Sequence, residues 1–162
     1  MRTAVCPGSF DPVTYGHLDI IQRASRIFDK VIVVVLPNNA KQTVFTVEER
    51  MDLIRRVTAG IPNVEIDCYD GLLADYTRQK SAIAIVKGLR AVSDFEYEFQ
   101  QALTNKKLNP EAETVFLTTS GENMYLSSSI VKSVACMNGD ISDFVPPCIL
   151  EDIKQRLYRK GK

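Results

Sequence analysis

Short apolar runs alternate with amphipathic stretches along most of the chain. The runs Arg2 to Cys6, Val31 to Leu36, Val64 to Tyr69, Ala82 to Val86 and Thr114 to Leu117 read as strands. The segments between them have helical character. Leu18, Ile21, Ala24 and Phe28 recur at helical spacing and predict a helix that starts at Gly16-His17. Thr46-Val47-Glu48-Glu49 fits the capping box, in which the Thr hydroxyl and the Glu carboxylate satisfy opposite backbone donors. Ser93-Asp94-Phe95-Glu96 repeats that pattern ahead of a helix reaching about Leu108. Ser127 or a neighbouring serine is placed to cap a helix running towards Asn138, with Gly139 ending it. After Val145-Pro146-Pro147, the positions Ile149, Ile153 and Leu157 share one face of a final helix.

Strands alternating with helices predict an α/β fold: a Rossmann-like, doubly wound five-stranded parallel sheet with helices on both faces and a C-terminal helix. No repeat, linker or low-complexity tract divides it, so residues 1–162 are expected to form a single domain. In such a sheet every strand-to-helix loop leaves by the same edge, and ligands bind there near the switch in strand order. The helix-to-strand connections Asp29-Lys30, Gly60 to Asn63 and Lys80-Ser81 are chemically plain. Pro7 to Gly16, Pro37 to Phe45, Asp70-Gly71, Lys87 to Val92 and Thr118 to Ser127 are the opposite set, and reactive and phosphate-binding residue types gather in them. That asymmetry points to a site at one edge of the sheet.

Composition narrows the class of ligand. Twenty basic residues balance twenty acidic ones, so no overall field draws the chain to nucleic acid or a membrane, and any polyanion must meet a local cluster of cations. The apolar runs are too short to span a bilayer. Met1 leads directly into the first strand without an apolar leader, so a cytoplasmic location is expected. Cys6, Cys68, Cys136 and Cys148 are scattered without C-x-x-C spacing, and there is one histidine; the cysteines read as small hydrophobes and a transition-metal cage is not expected.

Within the strand-to-helix loops, Gly8-Ser9-Phe10-Asp11-Pro12 reads either as a surface turn or as a close approach to a ligand, and His17 stands at the following helix start. A helix N-terminus offers unpaired N–H groups and partial positive charge to an anion, and an imidazole N–H beside it suits charge stabilisation at phosphorus. Lys41 lies in a polar loop and reads as solvated or as a mobile ammonium above the site. Lys87-Gly88-Leu89-Arg90 puts two cations beside a glycine at a buried strand end, where charge is costly unless paired or ligand-facing. Glu98 lies too deep in its helix to be explained by the helix dipole alone. Ser127, Ser128 and Ser129 exceed what one N-cap needs and suggest a second anion cradle. No Walker motif, G-x-G-x-x-G fingerprint or G-x-S-x-G elbow is present.

Thr14-Tyr15-Gly16-His17 resembles the [HT]-x-G-H hallmark of the nucleotidyltransferase superfamily. Pro7 to Pro12, Phe45 to Arg50, Gly88 to Val92, Asp94 to Glu98 and Ser127 to Lys132 resemble, within it, the bacterial phosphopantetheine adenylyltransferases nearly end to end. The resemblance implies transfer of AMP from ATP to 4′-phosphopantetheine with Mg²⁺, release of pyrophosphate, a homohexamer, and coenzyme A as feedback inhibitor. It assigns Ser9, Phe10 and His17 to the ATP phosphates, and Gly88, Leu89, Arg90 and Glu98 to the nucleotide. Asn123, Met124, Tyr125, Leu126, Ser127, Ser128 and Ser129 would close over ATP. Ser9, Lys41, Leu73 and Lys87 would line the acceptor site, with His17 and Lys41 as the catalytic pair. Lys87 departs from a more usual Arg, Ser9 from Thr, and Asn123 from an aromatic residue in some relatives. A transferase with another acceptor, a silent nucleotide sensor and a flavodoxin-like binding module remain alternatives.

Overall fold

In a computed structural model, which describes residues 1–37 and 42–161, the described residues form twelve elements, in which the five strands alternate with helices as the sequence predicts. They are β1 (Thr3–Gly8), α1 (Tyr15–Ile27), β2 (Lys30–Val35), α2 (Val47–Thr58), β3 (Val64–Cys68), α3 (Leu73–Gln79), β4 (Ala84–Leu89), α4 (Val92–Leu108), β5 (Glu113–Thr118), a 3₁₀ turn (Gly121–Asn123), α5 (Ser128–Cys136) and α6 (Pro147–Leu157). The strands form one parallel sheet in the order β3-β2-β1-β4-β5. The chain winds outward from β1 to β3, then returns to lay β4 against the other side of β1. The switch in strand order therefore lies between β1 and β4.

Alternation along the central strands divides the core. Ala4 and Cys6, and Val31, Val33 and Val35, face a large cluster that takes in Ile21, Ile54, Val131, Ile149 and Ile153. Val5, Ile32 and Val34 face a smaller cluster with Tyr76 and Ala82. Both faces are covered, as a parallel sheet of continuous apolar strands requires. The sequence places α6 correctly: Ile149 and Ile153 are fully buried, and Pro147 stands at the first turn, where a missing N–H costs nothing.

Two helices are capped differently from the sequence reading. The N-cap of α4 is Ala91, not Ser93, and no side chain caps it. β4 runs on to Leu89, which leaves only Arg90 and Ala91 for the turn, so the helix begins before the serine. At the end of α5 the left-handed residue is Asn138 (φ 58°), not Gly139. Asn138 N–H donates to Ala135 O and Gly139 N–H to Val134 O, which is a Schellman closure with Asn in the glycine position. Gly139 is needed for space instead, because a Cβ there would sit 2.6 Å from Val134 Cγ1.

Candidate active site

β1 ends at Gly8 on the edge of the sheet from which the strand-to-helix loops leave. A Cβ on Gly8 would lie 3.0 Å from two ring carbons of Phe10, so the glycine lets that ring fold back over the strand end. Phe10 is held at φ 50°, a strained conformation for a bulky residue, and is nevertheless buried. Its ring meets the edge of His17 at a centroid distance of 5.0 Å. On β4, a Cβ on Gly88 would come within 2.9 Å of Ile20 Cγ1, so this glycine lets α1 and β4 close together at the switch point.

Thr14 caps α1 in a capping box whose third residue is histidine rather than the usual Glu or Gln. Thr14 Oγ1 accepts from His17 N–H at 3.4 Å, and Thr14 N–H donates to His17 Nδ1 at 3.0 Å. An Nδ1 that accepts a backbone proton must be unprotonated, so the ring proton of the neutral form sits on Nε2. Burial, and then the nearby Arg90 and Lys87 charges, pull the His17 pKa down from 6.5 to about 4. His17 is therefore a neutral hydrogen-bond donor at pH 7.

The linkage has a definite sign. In the unfolded chain His17 takes up its proton near pH 6.5, whereas in the folded protein it does so only near pH 4. Between those values the unfolded state binds more protons, so the contribution of His17 to stability falls as pH drops from 6.5 towards 4 and is constant above that window. Urea unfolding of the wild type and His17→Asn from pH 7 to pH 4 checks this. The wild type is expected to lose more stability than the variant; parallel curves would remove the proposed shift.

His17 lines a cavity of about 470 Å³. Around it stand Lys87, Arg90 and Lys132, together with the N-terminal ends of α1 and α5. Lys87 Nζ lies 3.4 Å from Glu98 Oε2. Arg90 Nε lies 3.4 Å from Asp94 Oδ2, and Nη1 donates to Leu126 O at 3.0 Å, which links β4 to the segment before α5. Of the three serines, Ser127 caps α5 by accepting from Ile130 N–H at 3.1 Å, and Ser128 Oγ donates to Pro12 O at 2.8 Å. Both α1 and α5 thus begin at the same opening with anion-seeking ends.

The buried carboxylate of Asp11 organises the opposite wall. It accepts from Val44 N–H and Phe45 N–H, each at 2.9 Å, and pairs with Lys132 Nζ at 3.3 Å. Arg50, itself buried, donates to Ser9 O at 2.8 Å. Among the described residues no buried side-chain nitrogen or oxygen lacks a partner, so this wall is fully satisfied.

Most of the sequence candidates converge here. Ser9, Phe10, His17, Lys87, Gly88, Arg90, Glu98, Leu126 and Ser127 to Ser129 all line the cavity. Leu89 ends β4 beside them but is not part of the lining. Asn123, Met124 and Tyr125 also lie outside it. Asn123 Nδ2 donates to Ser120 Oγ, Met124 is exposed, and Tyr125 meets Phe144 edge-on. Leu73 packs against the smaller core layer. Lys41 lies outside the described residues. Four strand-to-helix loops supply the lining and the loop after β3 does not, because β3 is the far edge strand. Asp11, Thr14, Gln42, Thr43, Thr119 and Lys132 also line the cavity, although the sequence reading gives none of them a role of its own. The Lys at the end of Ser127-Ser128-Ser129-Ile130-Val131-Lys132 was the available signal, since it lies one helical turn beyond the serines.

The carboxylates facing the cavity, Asp11 and Glu98, are already engaged by N–H groups and by Lys132 and Lys87. Among the described residues no cluster of three His, Cys, Asp or Glu could hold a metal ion. Cys6 also lines the cavity, but burial pushes its thiol up to about 12 against the opposing pull of Lys87, so it is not a nucleophile.

Residues 5–134 match the cytidylyltransferase-like family. The chain is 57% identical over 159 residues to a phosphopantetheine adenylyltransferase of Caldanaerobacter subterraneus subsp. tengcongensis, covering 98% of this chain and 99% of that protein. It is 54% identical to one of Alkaliphilus metalliredigens, covering 96% and 99%. The fold matches Plasmodium falciparum nicotinic acid mononucleotide adenylyltransferase solved with NaAD, at a TM-score of 0.67 over 95% of each chain and 14% identity. With its neutral, tautomer-locked histidine at the switch point of a parallel sheet, the chain belongs to the cytidylyltransferase-like nucleotidyltransferases, among the phosphopantetheine adenylyltransferases.

Proposed function

We propose that the chain moves AMP from ATP, with its accompanying Mg²⁺, to the phosphate of 4′-phosphopantetheine, giving dephospho-coenzyme A and pyrophosphate. The observation that carries this reading is His17: a neutral Nε2–H donor, fixed by Thr14, in a cavity ringed by Lys87, Arg90 and Lys132. The acceptor phosphate is already a nucleophile, so no protein nucleophile is needed and catalysis is positioning plus charge stabilisation. An acceptor oxygen forms a bond to the α-phosphorus in line, the bond to the bridging oxygen breaks, and pyrophosphate leaves with that electron pair. His17 donates a hydrogen bond to the α-phosphate oxygen and keeps its proton.

The remaining roles are those that the resemblance to the family implies. Ser9, Phe10 and the start of α1 receive the phosphates. Gly88, Leu89, Arg90 and Glu98 hold the nucleotide, with Asn123 to Ser129 closing over it. Lys87, Ser9 and Lys41 meet the acceptor phosphate, and Leu73 with exposed Leu72 offers apolar surface to the pantetheine arm. Lys41 joins His17 as the second catalytic group. Lys132, paired with Asp11, adds positive charge at the same wall. Residues 1–162 act as one domain, in the cytoplasm where ATP is available. Phe95, Phe99 and Leu103 form an exposed stripe along α4, which supports assembly into a homohexamer. Coenzyme A, as a relative of the product, is the expected feedback ligand.

Incubation with ATP or CTP and a panel of phosphate acceptors, following pyrophosphate, tests the reading. Release with ATP and 4′-phosphopantetheine alone is expected; preference for another pair, or none, overturns it. Lys87→Arg is expected to keep kcat/KM for the acceptor within about threefold, because the phosphate needs the charge and a guanidinium supplies it. A collapse of that constant would take Lys87 away from the acceptor.

A further inference from the structure

We propose that Arg156, on the C-terminal helix α6, is a positioning residue that braces the cavity wall from behind; its kinetic consequence rests on the function proposed above. The wall segment runs from Gln42 and Thr43, which line the cavity, into Val44, Phe45 and the cap of α2. On the cavity side Asp11 holds the Val44 and Phe45 amides. On the outer side, one guanidinium makes three contacts with the same segment. Arg156 Nη1 donates to Val44 O at 2.7 Å. Nη1 and Nη2 grip Glu49 at 3.1 and 2.5 Å, and the Glu49 carboxylate in turn accepts from Thr46 N–H at 2.9 Å. The guanidinium carbon lies 4.9 Å from the centre of the buried Phe45 ring.

Val44 is thus held through its N–H from the front and its carbonyl from the back. Asp11 alone would leave the peptide free to pivot about its amides, and Arg156 removes that freedom. A planar fork suits this task, because one group must serve a carbonyl, a carboxylate and an aromatic face together. An exposed Arg–Glu pair adds little to stability by itself. Its effect is to fix where Gln42 and Thr43 present themselves, and small misplacements of substrate-facing groups are costly to the chemical step.

Arg56 provides a matched comparison. It also ties α2 to α6, gripping Asp152 at 2.5 and 3.2 Å and Cys148 O at 2.8 Å, but touches nothing in the wall segment. The experiment compares Arg156→Gln, Arg156→Lys and Arg56→Gln in the full chain, well below every melting temperature. It reads kcat and KM by pyrophosphate release, and the exchange of the Val44 and Phe45 amides by NMR. Arg156→Gln is expected to lower kcat about tenfold and speed exchange at both amides, with Arg156→Lys between it and the wild type. Arg56→Gln is expected to lower the melting temperature while changing neither kcat nor those amides by more than about twofold. Equal loss of kcat in the Arg56 variant, or an unchanged kcat in Arg156→Gln whatever its amides do, overturns the proposal. If the wild type releases no pyrophosphate, the function falls, whereas the exchange comparison still decides whether the brace exists.

Discussion

His17→Ala is expected to lower kcat by at least about 10²-fold, the loss seen when one preorganised donor to a developing oxyanion is removed. The expectation rests on the capping box. Because Thr14 N–H occupies Nδ1, the imidazole cannot turn over or exchange tautomer without leaving a buried amide unpaired. Its donor therefore needs no reorganisation as charge grows on the α-phosphate. Binding of ATP should persist, since Arg90, Lys87 and the ends of α1 and α5 remain. Steady-state rates of pyrophosphate release, with ATP affinity measured by calorimetry, check both halves. A folded variant that turns over at the wild-type rate would leave His17 with only the helix to look after.

Asp11→Ala is expected to be the most damaging single change to the fold around the site, with a cost of about 3 kcal/mol in unfolding free energy. The carboxylate is buried and satisfies two backbone amides and an ammonium. Its removal strands the buried Phe45 N–H and leaves Lys132 without its counter-charge. Lys132 is partly exposed and regains some hydration, which keeps the cost at the lower end for a broken buried pair. Asp11→Asn retains one carbonyl acceptor and should lose less. Urea denaturation of both variants decides the matter: a loss in Asp11→Ala below about 1 kcal/mol would mean that water replaces the carboxylate at little expense.

The sheet and the mouth of the site were legible because each depends on local pattern. Val31 to Val35 reads as a strand from an unbroken β-branched run, and its burial on both faces follows from the parallel sheet that such runs imply. Thr46 and Glu49 announce the start of α2 within four residues. His17 is legible as a candidate because the glycine-rich turn before it and the helix after it are contiguous with it. The parts that escaped are those made by residues distant in the chain. Asp11 sits in a Gly-Pro turn, where an aspartate is ordinary, and its partners lie 33, 34 and 121 positions away. Arg156 reads as one more basic residue in the last turn of a helix, and its partners are 107 and 112 positions off. The loop after β3 leaves by the same edge as the others but does not line the cavity, because strand-to-helix polarity is visible in sequence and lateral strand order is not.

The histidine at the third position of α1 also places this helix in a compromise. A carboxylate in that position would close the same box, complement the dipole and suit the helix better as an isolated segment. It would also aim negative charge at any incoming phosphate. The first turn of α1 is therefore kept short of its own conformational optimum by the ligand it serves, so selection for thermal robustness alone would push this position away from catalysis.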